Sequence, residues 1–252
     1  MNGFFVIDKP AGITSHDVVS RVRRILGTRK VGHTGTLDPF ATGVLPVAVN
    51  DGTKSIPFLD EGNKTYEALL RHGVTTDTLD MTGTILSESD VSALTRQQLF
   101  ACLSGFTGAI SQIPPMYSAI KQNGQPLYKL ARQGVEVDRA ARDVEIYSLE
   151  LLSFDLPLAS IRVICSRGTY VRSLADDIGR QLGCGAALQE LRRTTSGPFK
   201  IEDAVTLAEL ETAVGEGTVS SLCLSPMAAL GHLPEIPLTS DGLEGLRFGR
   251  SP

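Results

Sequence analysis

No apolar run in these 252 residues approaches the ~20 needed to cross a membrane as a helix. The N-terminus has neither the basic segment nor the long apolar stretch of a secretory signal. Cysteine is scarce. Cys102, Cys165, Cys184 and Cys223 form no Cys-x-x-Cys pair and have no metal-finger spacing, which argues against a disulfide framework and for a reducing cytoplasm. The four histidines, His16, His33, His72 and His232, are scattered. His-Glu-x-x-His, the Gly-x-x-x-x-Gly-Lys phosphate loop and Gly-x-Ser-x-Gly are absent, so no motif supports a zinc hydrolase, a P-loop NTPase or a serine hydrolase. Repeats and low-complexity tracts are missing too. What is present is 42% hydrophobic residues and a mean hydropathy of +0.04, as in a soluble globular protein. The length suits one large domain, or a domain with a small appendage, burying roughly 70–75% of its unfolded surface.

The net charge is −4, an unpromising total for a polyanion binder. Its distribution is more informative. Residues 1–54 carry seven basic and four acidic side chains, and residues 160–200 carry seven and three. Residues 201–252 carry two and eight. Two basic segments can build a local face that captures a polyanion although the whole chain is acidic. The same arginines are equally compatible with ordinary solvated faces.

Gly3 to Ile7 is a short apolar run ending at Asp8-Lys9-Pro10, a strand followed by a turn. Val18, Val22 and Ile25 or Leu26 recur at helical spacing, predicting a helix over 15–26 capped by Ser15 and stopped by Gly27. Val44–Val49 and Thr65–Arg71 read as strands, the second alternating Tyr66, Ala68 and Leu70. Thr95 and Gln98 form a capping-box pair. Residues 144–154 and 161–165 are strand-like, and Ser173 with Asp176 marks a helix opening that runs to Gly183. Helices and strands mix without regular βαβ alternation, so the class is α+β. Residues 113–142 stand apart. Ile113-Pro114-Pro115 breaks any preceding element, residues 122–126 form a turn cluster, and a short helix spans 127–132. Residues 211–225 read as a loose linker.

One loop carries the chemistry. Gly32-His33-Thr34-Gly35-Thr36-Leu37-Asp38-Pro39 sets a single carboxylate among glycines and hydroxyls, and Pro39 keeps Asp38 extended. Such an acid can be a poised reactive group. By spacing alone it is more often a turn residue, since Asp-Pro is a common loop dipeptide.

The whole stretch from Gly32 to Gly43 resembles the catalytic motif of the TruB family of pseudouridine synthases. Other blocks follow in family order over residues 3–210: Asp8-Lys9-Pro10-Ala11-Gly12, Lys64-Thr65-Tyr66, Gly73 to Gly83, Pro114 to Lys121, Leu127 to Arg132, Gly168 to Leu174 and Leu191 to Gly197. The resemblance implies the pseudouridine-synthase fold, a long, mixed and mostly antiparallel sheet with flanking helices and a central cleft. It implies isomerisation of uridine 55 in the tRNA T-loop, an intramolecular transfer that needs neither metal nor other cofactor.

By the same resemblance Asp38 is the catalytic carboxylate, Arg172 its ion-pair partner and Tyr66 the residue stacked on uracil and handling a proton. His33 fills the space left by the extruded nucleotide, and Thr34 and Gly35 beside it are substrate-binding residues. Leu191 lines the uracil pocket, Lys9 and Pro10 support it, and Tyr170 packs beneath Tyr66. Tyr128, Lys129, Arg132, Arg192 and Arg193 are candidate RNA-backbone contacts. Residues 113–142 correspond to a flexible thumb that closes over RNA. The implied partner is the tRNA T-arm, bound by a monomer in the cytoplasm without membrane contact. Alternatives are a guide-RNA-dependent relative, an RNA-folding or binding module on the same scaffold, and a single-Asp glycosidase that lacks the second carboxylate expected of it. Residues 1–225 form the expected catalytic domain. Residues 226–252 resemble the start, or a remnant, of a PUA-like RNA-binding domain, too short to form a core.

Overall fold

Along Lys64–His72 every second side chain from Tyr66 onward is buried, the period a half-covered strand requires. Across Gly3–Lys9 and Thr42–Val49 nearly every residue is buried, the mark of strands covered on both faces. These two patterns organise the computed structural model of the protein, which describes residues 1–59, 62–122, 124–235 and 237–250. Asn123 of the predicted turn cluster and the terminal residues 251–252 lie outside the described residues.

The elements run β1 (Gly3–Lys9), α1 (Ser15–Ile25), β2 (Val31–His33), β3 (Thr42–Val49), β4 (Lys64–His72), β5 (Val74–Thr76), β6 (Ile85–Glu88), α2 (Arg96–Ser104) and β7 (Gly108–Gln112). Then come β8 (Lys121–Gln122), β9 (Gln125–Pro126), α3 (Leu127–Arg132), β10 (Arg142–Asp155), β11 (Leu158–Cys165), α4 (Val171–Gln181), β12 (Ala186–Ser196) and β13 (Phe199–Lys200). Helices α5 (Leu207–Gly215), α6 (Pro226–Ala229) and α7 (Ser240–Arg247) follow. The main sheet has the order β1-β3-β12-β4-β11-β10-β7, with β2 on β3 and β13 on β12. Its pairings are antiparallel except β12 with β3, which is parallel. The α+β class and the mostly antiparallel mixed sheet agree with expectation.

Phe5, Ile7, Leu45 and Val47 face the main core with Val18 and Val22 of α1 and Leu174 and Ile178 of α4. Phe4, Val6, Val44 and Ala48 face a second cluster with Phe199 and Ala229. The C-terminal segment therefore belongs to the back of β1. Phe4 and Leu224 exchange backbone hydrogen bonds of 2.8 Å. The expected linker at 211–225 is corrected here: α5 continues to Gly215, and Leu210 and Ala213 are buried. Packing continues through Ala229, whereas α7 buries no residue.

Two predicted caps also shift. Thr14, not Ser15, caps α1, forming a reciprocal box with Asp17. Ser15 instead exchanges hydrogen bonds with the backbone of Leu37, tying α1 to the aspartate loop. Ser173 lies inside α4 and donates to the Ile113 carbonyl, while Asp176 pairs with Arg180. No helix among the described residues is long and apolar enough to cross a membrane.

Candidate active site

The aspartate loop links β2 to β3 and is held from below. Lys9 is fully buried, and its ammonium donates to the carbonyls of Pro10 (2.9 Å), Pro39 (3.1 Å) and Ala41 (2.7 Å). Burial pulls the Lys9 amine down to about 8, with Asp38 opposing. The Gly12 N–H donates to Pro39 at 2.8 Å, and Asp38's own carbonyl accepts from Ala41. Where the loop enters β3, Gly43 takes φ +99°, and a Cβ there would collide with the Arg193 backbone of β12. Only glycine fits that crossing.

Arg172 stands one residue into α4 and is 3% exposed. Its Nε donates to Asp38 Oδ2 at 2.9 Å and its Nη2 to Asp38 Oδ1 at 3.0 Å, a bidentate fork. The same guanidinium donates to the carbonyls of Thr78 (3.0 Å) and Tyr117 (2.8 Å) and lies 3.7 Å from the Asp80 carboxylate. One side chain thus ties together the aspartate loop, the loop after β5 and the base of the thumb. Asp38 keeps 33% of its side chain exposed, so its carboxylate is held on one side and open on the other. Burial pushes its carboxyl above the ordinary aspartate value, Arg172 pulls it down, and Asp80 adds to the rise.

Asp80 is the residue the sequence reading passed over. It is 4% exposed and accepts from the Thr78 hydroxyl (3.0 Å), the Thr82 N–H (3.0 Å) and the Thr82 hydroxyl. Leu79, just before it, has φ +63°, uncommon for a branched side chain. The signal available was the pattern Thr78-x-Asp80-x-Thr82, which reads as an Asx turn unless its contact with Arg172 is known.

Tyr66 on β4 is 7% exposed and lies opposite Arg193 of β12 in register, with Leu191 opposite Ala68. Tyr66, Leu191 and Arg193 therefore share one face. Burial raises the Tyr66 hydroxyl, and the adjacent Arg193 pulls it back. His33 ends β2. Its Nδ1 is buried without a hydrogen-bond partner among the described residues, and burial lowers its basicity. Thr34 donates its N–H to Pro46. Gly35 presents its carbonyl to Arg193. Tyr170 precedes α4, half-buried, its backbone exchanging hydrogen bonds with the Gln112 side chain. Its hydroxyl is raised by burial and opposed by Ser118. Pro10 accepts from Lys9, so both serve the aspartate loop.

Of the five backbone-contact candidates, Arg193 is corrected. It is 1% exposed and donates to the carbonyls of Val44 (2.8 Å), Gly35 (3.2 Å) and Thr36 (3.5 Å), so it cannot reach a phosphate outside. Its neighbour Arg192, on the opposite face of the strand, pairs with Asp8 at 2.7 and 3.1 Å and stays 40% exposed. Tyr128, Lys129 and Arg132 sit on α3, anchored by buried Leu127, with the Arg132 guanidinium 5.6 Å from the Tyr128 ring centre.

Known proteins resemble this chain in sequence and fold. The model of the TruB family pseudouridylate synthase N-terminal domain matches residues 23–171, and that of the tRNA pseudouridylate synthase B C-terminal domain matches residues 172–230. The chain belongs to the TruB family of pseudouridylate synthases. It is 55% identical to the tRNA pseudouridine synthase B of Geobacter sulfurreducens, over all of this chain and 83% of that protein. It is 56% identical to that of Geotalea uraniireducens, over all of this chain and 81% of the relative. Among solved structures, a chain of a Cbf5-Nop10-Gar1 complex superposes with a TM-score of 0.78 at 32% identity, covering 98% of this chain and 67% of that one.

Proposed function

We propose that this protein isomerises uridine 55 in the T-loop of tRNA to pseudouridine, with Asp38 as nucleophile. The observation that carries the chemistry is the Asp38 carboxylate, gripped bidentately by buried Arg172 and open on its other side. A carboxylate so aimed attacks the flipped uridine and splits one difficult exchange into two easier ones. Tyr66 offers a flat face for uracil and a hydroxyl for its C5 proton, Leu191 supplies apolar wall, and His33 fills the space the extruded base leaves. Tyr128, Lys129, Arg132 and Arg192 are the candidate contacts to the RNA backbone, and Tyr170 and Pro10 support the pocket. No step calls for a metal or another cofactor. The enzyme is a monomer in the cytoplasm, gripping the T-arm through the thumb at 113–142.

The stand-alone reading is favoured over a guide-RNA-dependent one. Relatives named tRNA pseudouridine synthase B reach 56% identity, whereas the Cbf5 chain reaches 32%. Incubation with an unmodified tRNA transcript alone, followed by mapping of pseudouridine, tests both. Modification at position 55 without any guide supports the proposal. No modification unless a guide RNA is added overturns it.

A further inference from the structure

We infer that Arg193 is a positioning residue for Tyr66: it holds the phenol in place and supplies the positive charge against which its oxygen accepts the uracil C5 proton. The inference rests on the reading of Tyr66 as proton acceptor. Arg193 and Tyr66 face each other on neighbouring strands. Both are buried, and the guanidinium stands beside the hydroxyl. Arg172, the other buried arginine of the site, meets two carboxylates, whereas Arg193 makes no ion pair among the described residues. Its partners are the carbonyls of Gly35, Thr36 and Val44. A buried cation without an anion is costly. A negative charge forming on the Tyr66 oxygen offsets that cost. The other titratable groups facing Tyr66 are Cys165 of β11 and Asp38, both of which oppose a phenolate.

The proton balance is simple. Once the new bond from C5 to C1′ exists, C5 still bears its hydrogen. The C–H electron pair restores the C5=C6 double bond, the C6=N1 pair moves onto N1, and N1 takes a proton from solvent. The C5 proton passes to the Tyr66 phenolate, and the neutral phenol later returns it to solvent.

Single-turnover release of tritium from tRNA labelled at uridine C5 is followed against pH for wild type, Arg193→Met, Arg193→Lys, Tyr66→Phe and Asp38→Asn. Burial keeps the Tyr66 hydroxyl above its ordinary value even beside Arg193, so Arg193→Met should bind tRNA as wild type does, lose rate by a nearly constant factor below that value, and show its alkaline limb displaced to higher pH. Arg193→Lys keeps the charge, so its alkaline limb should stay where the wild-type limb lies, whatever its absolute rate. Near-ultraviolet absorbance of each protein minus its Tyr66→Phe counterpart isolates the Tyr66 phenolate, which should appear at higher pH in Arg193→Met. An unmoved phenolate titration together with an unmoved alkaline limb overturns the inference and leaves Arg193 a brace for three carbonyls. Should Arg193→Met fail to fold, a displaced limb in Arg193→Lys overturns it instead. An active Tyr66→Phe with an unchanged pH profile removes Tyr66 as proton acceptor, and the inference with it. An active Asp38→Asn sinks only the nucleophile assignment.

Discussion

Arg172→Lys keeps a positive charge at the site and removes the planar fork. The native guanidinium makes four hydrogen bonds, two to Asp38 and one each to the carbonyls of Thr78 and Tyr117. A lysine carries three donors on one nitrogen and cannot serve both carboxylate oxygens and two carbonyls on different loops. Asp38 then loses one charge-assisted bond, about 1.5–3 kcal/mol. If the transition state feels that loss, the reaction slows about ten- to a hundredfold at 1.36 kcal/mol per decade. A carbonyl left unpaired in the protein interior costs a further ~1–3 kcal/mol of stability. For a chain of this size that is a Tm decrease of roughly 2–4 °C per kcal/mol. Tritium release at saturating enzyme measures the chemical step, and calorimetry measures the stability. A single-turnover rate close to wild type would refute the claim that the fork aims Asp38. A slow variant whose tRNA affinity fell in proportion would refute it too, because the loss would then be one of binding.

Asp38→Asn should abolish turnover while leaving tRNA affinity nearly intact, since one carboxylate supplies chemistry and many contacts supply binding; comparable residual tritium release would rule the nucleophile out. His72 is 1% exposed, neither ring nitrogen has a partner among the described residues, and burial lowers it from 6.5 to about 4. Between those pH values the unfolded chain binds the extra proton, so stability falls as pH falls from 6.5 towards 4, by up to roughly 3 kcal/mol. Calorimetry of His72→Leu should show a flatter acid limb than wild type, and an identical limb would mean that His72 titrates normally. A free T-arm stem-loop should be a substrate whose binding weakens as salt rises, each phosphate contact adding to the slope, and a salt-independent Kd would exclude the basic face. Hydrogen exchange at residues 120–135 should slow when a T-arm hairpin is added; strong protection in the free protein, unchanged by RNA, would make the thumb a fixed part of the fold.

The backbone of the aspartate loop was legible locally, from three glycines, one acid and one proline, whereas the role of Asp38 was legible only through the family resemblance, because spacing alone favours a turn residue. The alternation of Tyr66, Ala68 and Leu70 likewise named strand and inward face at once, and Thr95 with Gln98 named a cap that the structure contains. Thr14 and Ser15 show the limit. Either hydroxyl can cap a helix, and the choice falls to Thr14 because Ser15 is claimed by Leu37, 22 residues away. Arg193 was a candidate RNA contact only through the resemblance, and no local signal said that it lies inside. Its burial follows from the parallel pairing of β12 with β3, a register no local pattern encodes. Asp80 was missed for the same reason, since its meaning depends on Arg172, 92 residues later.

That parallel pairing also sets the order in which a nascent chain can complete itself. Strand β3 ends at Val49 and its central neighbour β12 begins at Ala186. At about 5–20 residues per second, synthesis of the intervening chain takes on the order of ten seconds. In that interval β1, β2 and β3 are all available to pair with one another, while Thr42 and Gly43 of β3 and one side of β4 await the same strand. An unpaired apolar edge is a template for the wrong partner. On β3 that edge is short, because β12 meets only Thr42 and Gly43 while β2 already pairs with Val47–Val49 on the same side. Tyr66, Leu191 and the Arg193 grip on Gly35 come together only when β12 stands between β3 and β4, so half of the site is built by a strand synthesised more than a hundred residues after Asp38.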